Sequence, residues 1–383
     1  MNRNLSRRAT LVGAAGTLAG AFLARPAASA RPRQVAHTGE AWPEADALFK
    51  SDPRWRGGDL ALPTVLAPGR VLWHFGDSFI DLEPPYERAG STFIRNSIAI
   101  QQGLNPASAD IEFHWSMNGA EPRAFFDTAL SPVRREPDSV YWCNSSLVVD
   151  NGSTSVLATL FAEWTHDALP TRLGTTWAFV PNYQEHPSEW EITYVLGPDV
   201  AGELGARFEP RYWSLTRRGS YVEGYGTFHG IISSNPVYRV RWPAAELLNG
   251  NVSGGEWKDG DVWRPAADFN GAQPSEAAFT SRALQFSVHQ ESPGYTMITQ
   301  SADYGPMAWD HAPTPDGHWG QQFTVVYDHP ERQRPGVRVY HNWAVPALTS
   351  DDADLIAIYS SNGPNVFEDE STYYPRFVKI HYA

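Results

Sequence analysis

The 383-residue sequence predicts an all-β protein built as a five-bladed β-propeller, and three observations carry that expectation. Short apolar and aromatic runs recur along the chain, several of them alternating with period two. Gly, Pro, Asn and Asp cluster between the runs, as in Asp150-Asn151-Gly152 and Ser361-Asn362-Gly363-Pro364. A polar residue followed by an apolar strand and a hairpin returns near Asp59, Asn144, Glu223, Glu276 and His341, at intervals of roughly 50 to 85 residues. All-β chains of this length close into barrels, stack as sandwiches or repeat radially, and five such units favour radial repetition.

Strands are predicted over residues 71–80, 146–150, 155–162, 190–196, 238–242, 284–289, 296–300, 323–327, 355–359 and 377–381. Tight turns join 146–150 to 155–162 and 284–289 to 296–300 as hairpins. One helical turn is expected near residues 244–248. No linker, low-complexity tract or shift in composition divides residues 40–383. The expected organisation is therefore a lead-in over residues 31–50 and a single propeller domain over 51–383.

Residues 1–30 read as an address and not as part of the fold. Ser6-Arg7-Arg8 precedes a Gly/Ala-rich apolar run and then Ala28-Ser29-Ala30, the pattern of a twin-arginine signal peptide. The run falls short of the roughly 20 apolar residues that span a bilayer. Export to an extracytoplasmic compartment follows as an expectation, with no membrane attachment after cleavage.

The segment holds four arginines and no acid, so its removal takes the formal charge from −13 to about −17. A surface this acidic repels phosphate backbones and anionic lipid, which excludes nucleic acid as the expected partner. The only cysteine, Cys143, rules out an internal disulfide, so stability must come from packing. A monomer is expected.

Phe75-Gly76-Asp77-Ser78 resembles the opening block of GDSL esterases, in which Ser78 would be the nucleophile. The chain lacks the Gly-x-Asn-Asp and late Asp-x-x-His blocks of that family, and its strands leave no room for the helices of an α/β fold. The twelve histidines include no HExxH, and His311, His318 and His329 show no ligand spacing. No metal site is read, no cofactor is expected, and a cation on the propeller axis stays open.

A second resemblance covers most of residues 50–383. Trp55-Arg56-Gly57-Gly58-Asp59, Leu72-Trp73-His74-Phe75-Gly76-Asp77 and Arg95-Asn96-Ser97-Ile98-Ala99 together resemble the first blade of an actinobacterial five-bladed propeller family that includes endo-D-arabinanases. Ser275-Glu276-Ala277-Ala278 and Tyr374-Pro375-Arg376-Phe377-Val378 resemble later blades of the same family. The resemblance implies a glycoside hydrolase acting on arabinofuranose polymers of the cell envelope, with Asp59 and Asp77 at its catalytic centre.

The residues reach the same pair by another route, because both aspartates stand at the ends of one predicted hairpin. Glycosidic cleavage needs an acid to protonate the departing oxygen and a second carboxylate that attacks the sugar or activates water. Apolar Trp73, Phe75 and Phe79 would raise the pKa of Asp77, making it the expected acid, with Asp59 as nucleophile or base; the reverse order stays open. Glu223 and Glu276 are the next carboxylates, while Asn96, Asn144 and His341 are candidates to bind sugar hydroxyls. Trp309 and Trp319 are the aromatic residues expected to touch a ligand. A non-catalytic carbohydrate-binding propeller is the alternative from another class, since it would share the aromatic cleft.

Overall fold

The computed structural model describes residues 35–383 apart from 168–169, 198–210, 228–234, 270–274, 292, 318 and 321–322. The signal-peptide reading of residues 1–30 lies outside the described residues. Among the described residues, five antiparallel sheets are arranged as the blades of a β-propeller, and Ser116–Asn118 pairs with Glu121–Arg123 in a separate small hairpin. Blade 1 runs Trp55–Ala67, Arg70–Ile80, Ser97–Gln102 and Asp110–His114, and blade 2 runs Val140–Asp150, Ser155–Trp164, Arg172–Val180 and Thr193–Leu196. Blade 3 begins Arg211–Arg218, Tyr221–Thr227 and Asn235–Pro243, and is extended by Glu256–Asp259 and Val262–Pro265. Blade 4 runs Ser287–Gln290, Tyr295–Gln300, Met307–Ala312 and Thr324–Tyr327.

Blade 5 is assembled from both parts of the chain. Arg338–Ala344, Leu355–Asn362 and Arg376–Tyr382 supply three strands, and Ala36–Ala41 adds the fourth, pairing Ala41 with Val378 and Ala36 with Tyr382. The segment predicted as a lead-in is thus a structural strand that closes the ring. Its sequence, AHTGEA, carries too few apolar residues to signal a strand by itself. The helical turn is present at Ala244–Leu247.

The first strand of each blade stands innermost, and side-chain hydroxyls tie these strands together. Ser145 Oγ accepts the Leu215 N–H (3.0 Å), Ser214 Oγ accepts that of Val288 (2.9 Å), and Ser287 Oγ accepts that of Ala344 (2.8 Å). Thr64 Oγ1 donates to the Ser146 carbonyl (3.1 Å) across blades 1 and 2. A serine recurring at roughly 70-residue spacing therefore satisfies backbone donors that an innermost strand, paired on one side only, leaves without a ladder partner.

Apolar wedges fill the spaces between blades. Leu147, Val149, Trp177 and Phe179 of blade 2 pack against Leu215, Val222, Tyr238 and Trp257 of blade 3. Ile298, Met307 and Trp309 of blade 4 pack against Val339, Leu355 and Ile380 of blade 5. Burial of side chains this large stabilises by roughly 1.5–3 kcal/mol each, so the interblade faces carry the fold in the absence of a disulfide.

Candidate active site

A cavity of about 330 Å³ opens where the inner strands of the blades converge. Interruptions in those strands set what faces it. The pairing register shifts at Gly58/Leu60 in blade 1, opposite Leu160/Phe161 in blade 2, at Trp213/Thr216 in blade 3 and at Tyr340/Trp343 in blade 5. Leu60, Ser214 and His341 take left-handed φ values of 67°, 53° and 56° at these points. Each irregularity breaks the in-and-out alternation and re-aims a side chain. Asp59, Asn144, Trp213 and Tyr340 consequently line one cavity, together with Asp77, Trp142, Trp164 and Tyr373.

Asp59 and Asp77 lie on the two strands of the first hairpin, and Gly76 leaves the space that the Asp59 carboxylate occupies. A Cβ at residue 76 would collide with Asp59 Oδ1. Tyr340 reaches over from blade 5 and donates its hydroxyl to Asp59 Oδ2 (2.7 Å). Tyr373, whose carbonyl accepts the Gly58 N–H (2.8 Å), contributes a second side-chain hydrogen bond to Asp59. Asp77 has different company: Trp142 Nε1–H donates to its Oδ1 (2.9 Å), and Arg95 forms an ion pair with its Oδ2 (3.2 Å).

The pair titrates as a unit, with both groups displaced upward. Burial raises Asp59, and the negative charge of Asp77 raises it further against the hydrogen bonds from the two tyrosines. Burial also raises Asp77, but Arg95 and Trp142 oppose the shift. Arg95 and Trp142 favour the charged form of Asp77, whereas no described cation pairs with Asp59. These partners differ from the apolar surroundings expected for Asp77. Phe75 packs into the core against Trp55 and Phe49, Phe79 packs on Phe93 and Tyr373, and Trp73 donates to Gln101.

Among the described residues, these two aspartates are the only carboxylates that line the cavity. Glu223 lies on the second strand of blade 3, ion-paired with Arg239 and Arg218, and does not reach it. Glu276 is exposed beside Lys258, Asp261 and Asp316 on the same blade's outer part. The positions that face the centre in blades 3 and 4 are Trp213 and Gln285, roughly ten residues earlier and later than the residues chosen from the repeat.

The other candidates divide in the same way. Asn144 lines the cavity, and its Nδ2 has no hydrogen-bond partner in the protein. Asn96 is committed to the scaffold, donating to the carbonyls of Phe126 and Tyr141 and accepting the Phe126 N–H. His341 is fully buried, stacked on Trp343 and absent from the cavity wall; burial lowers it to about 3, so it is neutral. Trp309 is 1% exposed on the third strand of blade 4, which removes it as a ligand contact. Trp319 packs on Phe279 and donates to the Pro315 carbonyl, again away from the cavity. The aromatic walls are instead Trp142, Trp164 and Trp213.

Ser78 is sealed in the blade and cannot serve as a nucleophile. It is 0% exposed, its hydroxyl donates to the Gly76 carbonyl (2.9 Å), and it shares a hydrogen bond with Ser97 Oγ (2.8 Å). Cys143 is also buried, with its thiol pushed up by desolvation.

No curated protein matches the chain. Among solved structures, a Bacteroides ovatus protein named as a candidate hydrolase superposes with a TM-score of 0.64 at 18% identity, over 89% of this chain and 90% of that one. A family 117 glycoside hydrolase of the marine bacterium Zobellia galactanivorans gives 0.44 at 11% identity, over 91% and 89%. A GH43_1 enzyme of Xanthomonas citri gives 0.43 at 10% identity, over 89% and 93%. The first of these shares the fold. A family signature spans residues 44–382, nearly the whole described propeller, and the chain belongs to that family, the domain of unknown function DUF5005.

Proposed function

We propose that this protein is an exported glycoside hydrolase that cleaves an arabinofuranose-containing polysaccharide, with Asp59 and Asp77 as its reacting carboxylates. The observation that carries the reading is the unequal charge partners of two carboxylates in one aromatic-walled cavity: Asp77 holds a cation and Asp59 does not. Paired acids whose environments push them toward different protonation states supply the acid and the base of glycosidic cleavage.

In this mechanism Asp59 enters protonated and gives its proton to the departing glycosidic oxygen. Tyr340 and Tyr373 keep the carboxyl oriented, and they hold charge that develops on it as the proton leaves. Asp77 acts on the anomeric carbon, directly or through a water, and Arg95 and Trp142 fix its two oxygens for that role. The faces of Trp142, Trp164 and Trp213 offer apolar surface to a sugar ring, and the unpartnered Asn144 amide offers a donor to a hydroxyl. The strongly acidic composition suits a neutral polymer.

The test is product release from purified arabinogalactan by the wild-type chain, beside Asp59→Asn, Asp77→Asn and Ser78→Ala. Oligosaccharides that vanish in both Asn variants and persist in Ser78→Ala support the reading. Polymer binding without any product in the wild type replaces it with a carbohydrate-binding role.

A further inference from the structure

Away from the cavity, the outer edge of blade 1 meets a loop of blade 2, and three metal-ligating side chains converge there. We infer that Glu112, His114 and His186 form a binding site for a late first-row divalent cation, Zn²⁺ foremost, that clips the two blades together.

The ligands come from two elements with separate reasons for their positions. Glu112 and His114 are two apart on the strand Asp110–His114, so the period of the strand sends both to its outer face while Phe113 points into the core. His186 caps the short turn Pro187–Glu189 in the loop that precedes the last strand of blade 2. One donor atom from each residue can be chosen so that all three lie within 4.8 Å of one another. His186 Nε2 is 3.4 Å from Glu112 Oε1, and His114 Nε2 is 3.8 Å from Glu112 Oε2. Ligands of a tetrahedral zinc with bonds of about 2.0–2.1 Å stand about 3.3–3.4 Å apart, so small side-chain rotations complete the set.

A further observation points to a ligand. His114 has a side chain only 10% exposed, and its Nε2 is buried without a hydrogen-bond partner, an arrangement that leaves a donor atom unanswered at the centre of the cluster. On His186, Nδ1 accepts the Ser188 N–H (3.3 Å) and lies 2.7 Å from Ser188 Oγ, contacts that hold the ring with Nε2 toward Glu112.

The loop is also fixed before any ion arrives. Arg70 of blade 1 donates to the carbonyls of Gln184 (2.7 Å) and Glu185 (3.1 Å), and Asn182 Nδ2 donates to that of Glu189 (2.7 Å). Arg70 lies close enough to oppose a cation electrostatically, and the Glu112 carboxylate offsets it. Two imidazoles and one carboxylate suit zinc and its neighbours better than calcium or magnesium, which take oxygen sets. Three protein ligands leave one position for water.

The experiment uses the untagged full-length chain stripped with a chelator, dialysed against Zn²⁺ alone, with bound metal and melting temperature both read. One equivalent of zinc per chain and a rise in Tm of about 2 °C or more are expected. Glu112→Gln and His186→Ala alter exposed residues and should fold as the wild type does without metal, yet each should weaken zinc uptake by about 10-fold or more. Uptake below one equivalent overturns the inference. So does one equivalent held equally well by both variants, since the metal then sits elsewhere.

Discussion

Among the described ion pairs, Asp77 of the cavity pair holds one cation, Arg95, whereas Glu223 on blade 3 and Asp316, from the loop between the last two strands of blade 4, have three between them, Arg218, Arg239 and Lys258. Both places withdraw carboxylates from water beside a propeller strand. At the second place, burial would raise Asp316, but the hydrogen bonds and charges of Arg239 and Lys258 outweigh it and the group ends below its usual value. In the cavity burial wins, and both aspartates rise. Surplus cation keeps a carboxylate charged; scarcity beside burial favours its protonated form.

The largest effect that would break this comparison comes from the carboxylates themselves. Asp59→Asn or Asp77→Asn should each lower kcat on a cleavable polymer by about 10²–10⁴-fold without loss of fold, as judged by circular dichroism. A smaller loss, about 10–100-fold, is expected for Arg95→Met, with a diagnostic change in the pH profile. Activity needs Asp77 ionised and Asp59 protonated, so the bell-shaped profile should lie above the ordinary carboxylate range of about 4. Arg95 holds Asp77 down, so its removal should move the acid limb upward and narrow the bell.

Tyr340→Phe should act on the other limb. Its hydroxyl lowers Asp59, so the variant should raise the basic limb and widen the bell, with kcat reduced by roughly 10-fold. Limbs that move together in the two variants would contradict separate roles for the two aspartates. Glu223→Gln provides the contrast, with activity per folded molecule within about 2-fold of wild type and a loss of stability of roughly 1–3 kcal/mol by denaturant titration.

The smallest effect is a gain. The folded pKa of Asp59 lies above its unfolded value, so stability is lost as pH rises through the folded pKa. Asp59→Asn removes that loss, and Tm should rise by a few degrees at pH 8 while staying near wild type at pH 4. A variant less stable at both pH values would mean that the carboxylate supports the fold instead of straining it.

The propeller and the aspartate pair were legible because a hairpin places both ends of its sequence in one spot, and local alternation suffices to find it. The remainder of the cavity depends on irregularities. Tyr340 and Trp213 reach it through register shifts that break period two, so a regular pattern led to Glu223 on the neighbouring strand. The Pro and Gly residues that follow Trp309 suggest a loop open to a ligand, yet the ring is buried in the blade 4 to blade 5 wedge. The serines at 145, 214 and 287 mark the repeat with one residue each, too little to register as sequence identity. Tyr373 and Asn362 come from the end of the chain, and only closure of the ring brings them to blade 1.

That closure also sets a timetable for synthesis. Ala36 pairs with Tyr382, so the strand Ala36–Ala41 waits on the ribosome for a partner made roughly 350 residues later. At about 5–20 residues per second the wait is on the order of 20–70 s. Throughout it the earlier blades can form their hairpins, but the ring has no seam to hold it, and the edge of the waiting strand is open to pairing with a neighbouring chain. Once sealed, Ala36–Ala41 and Arg376–Tyr382 are held in one sheet, and neither strand can leave it without parting blade 5.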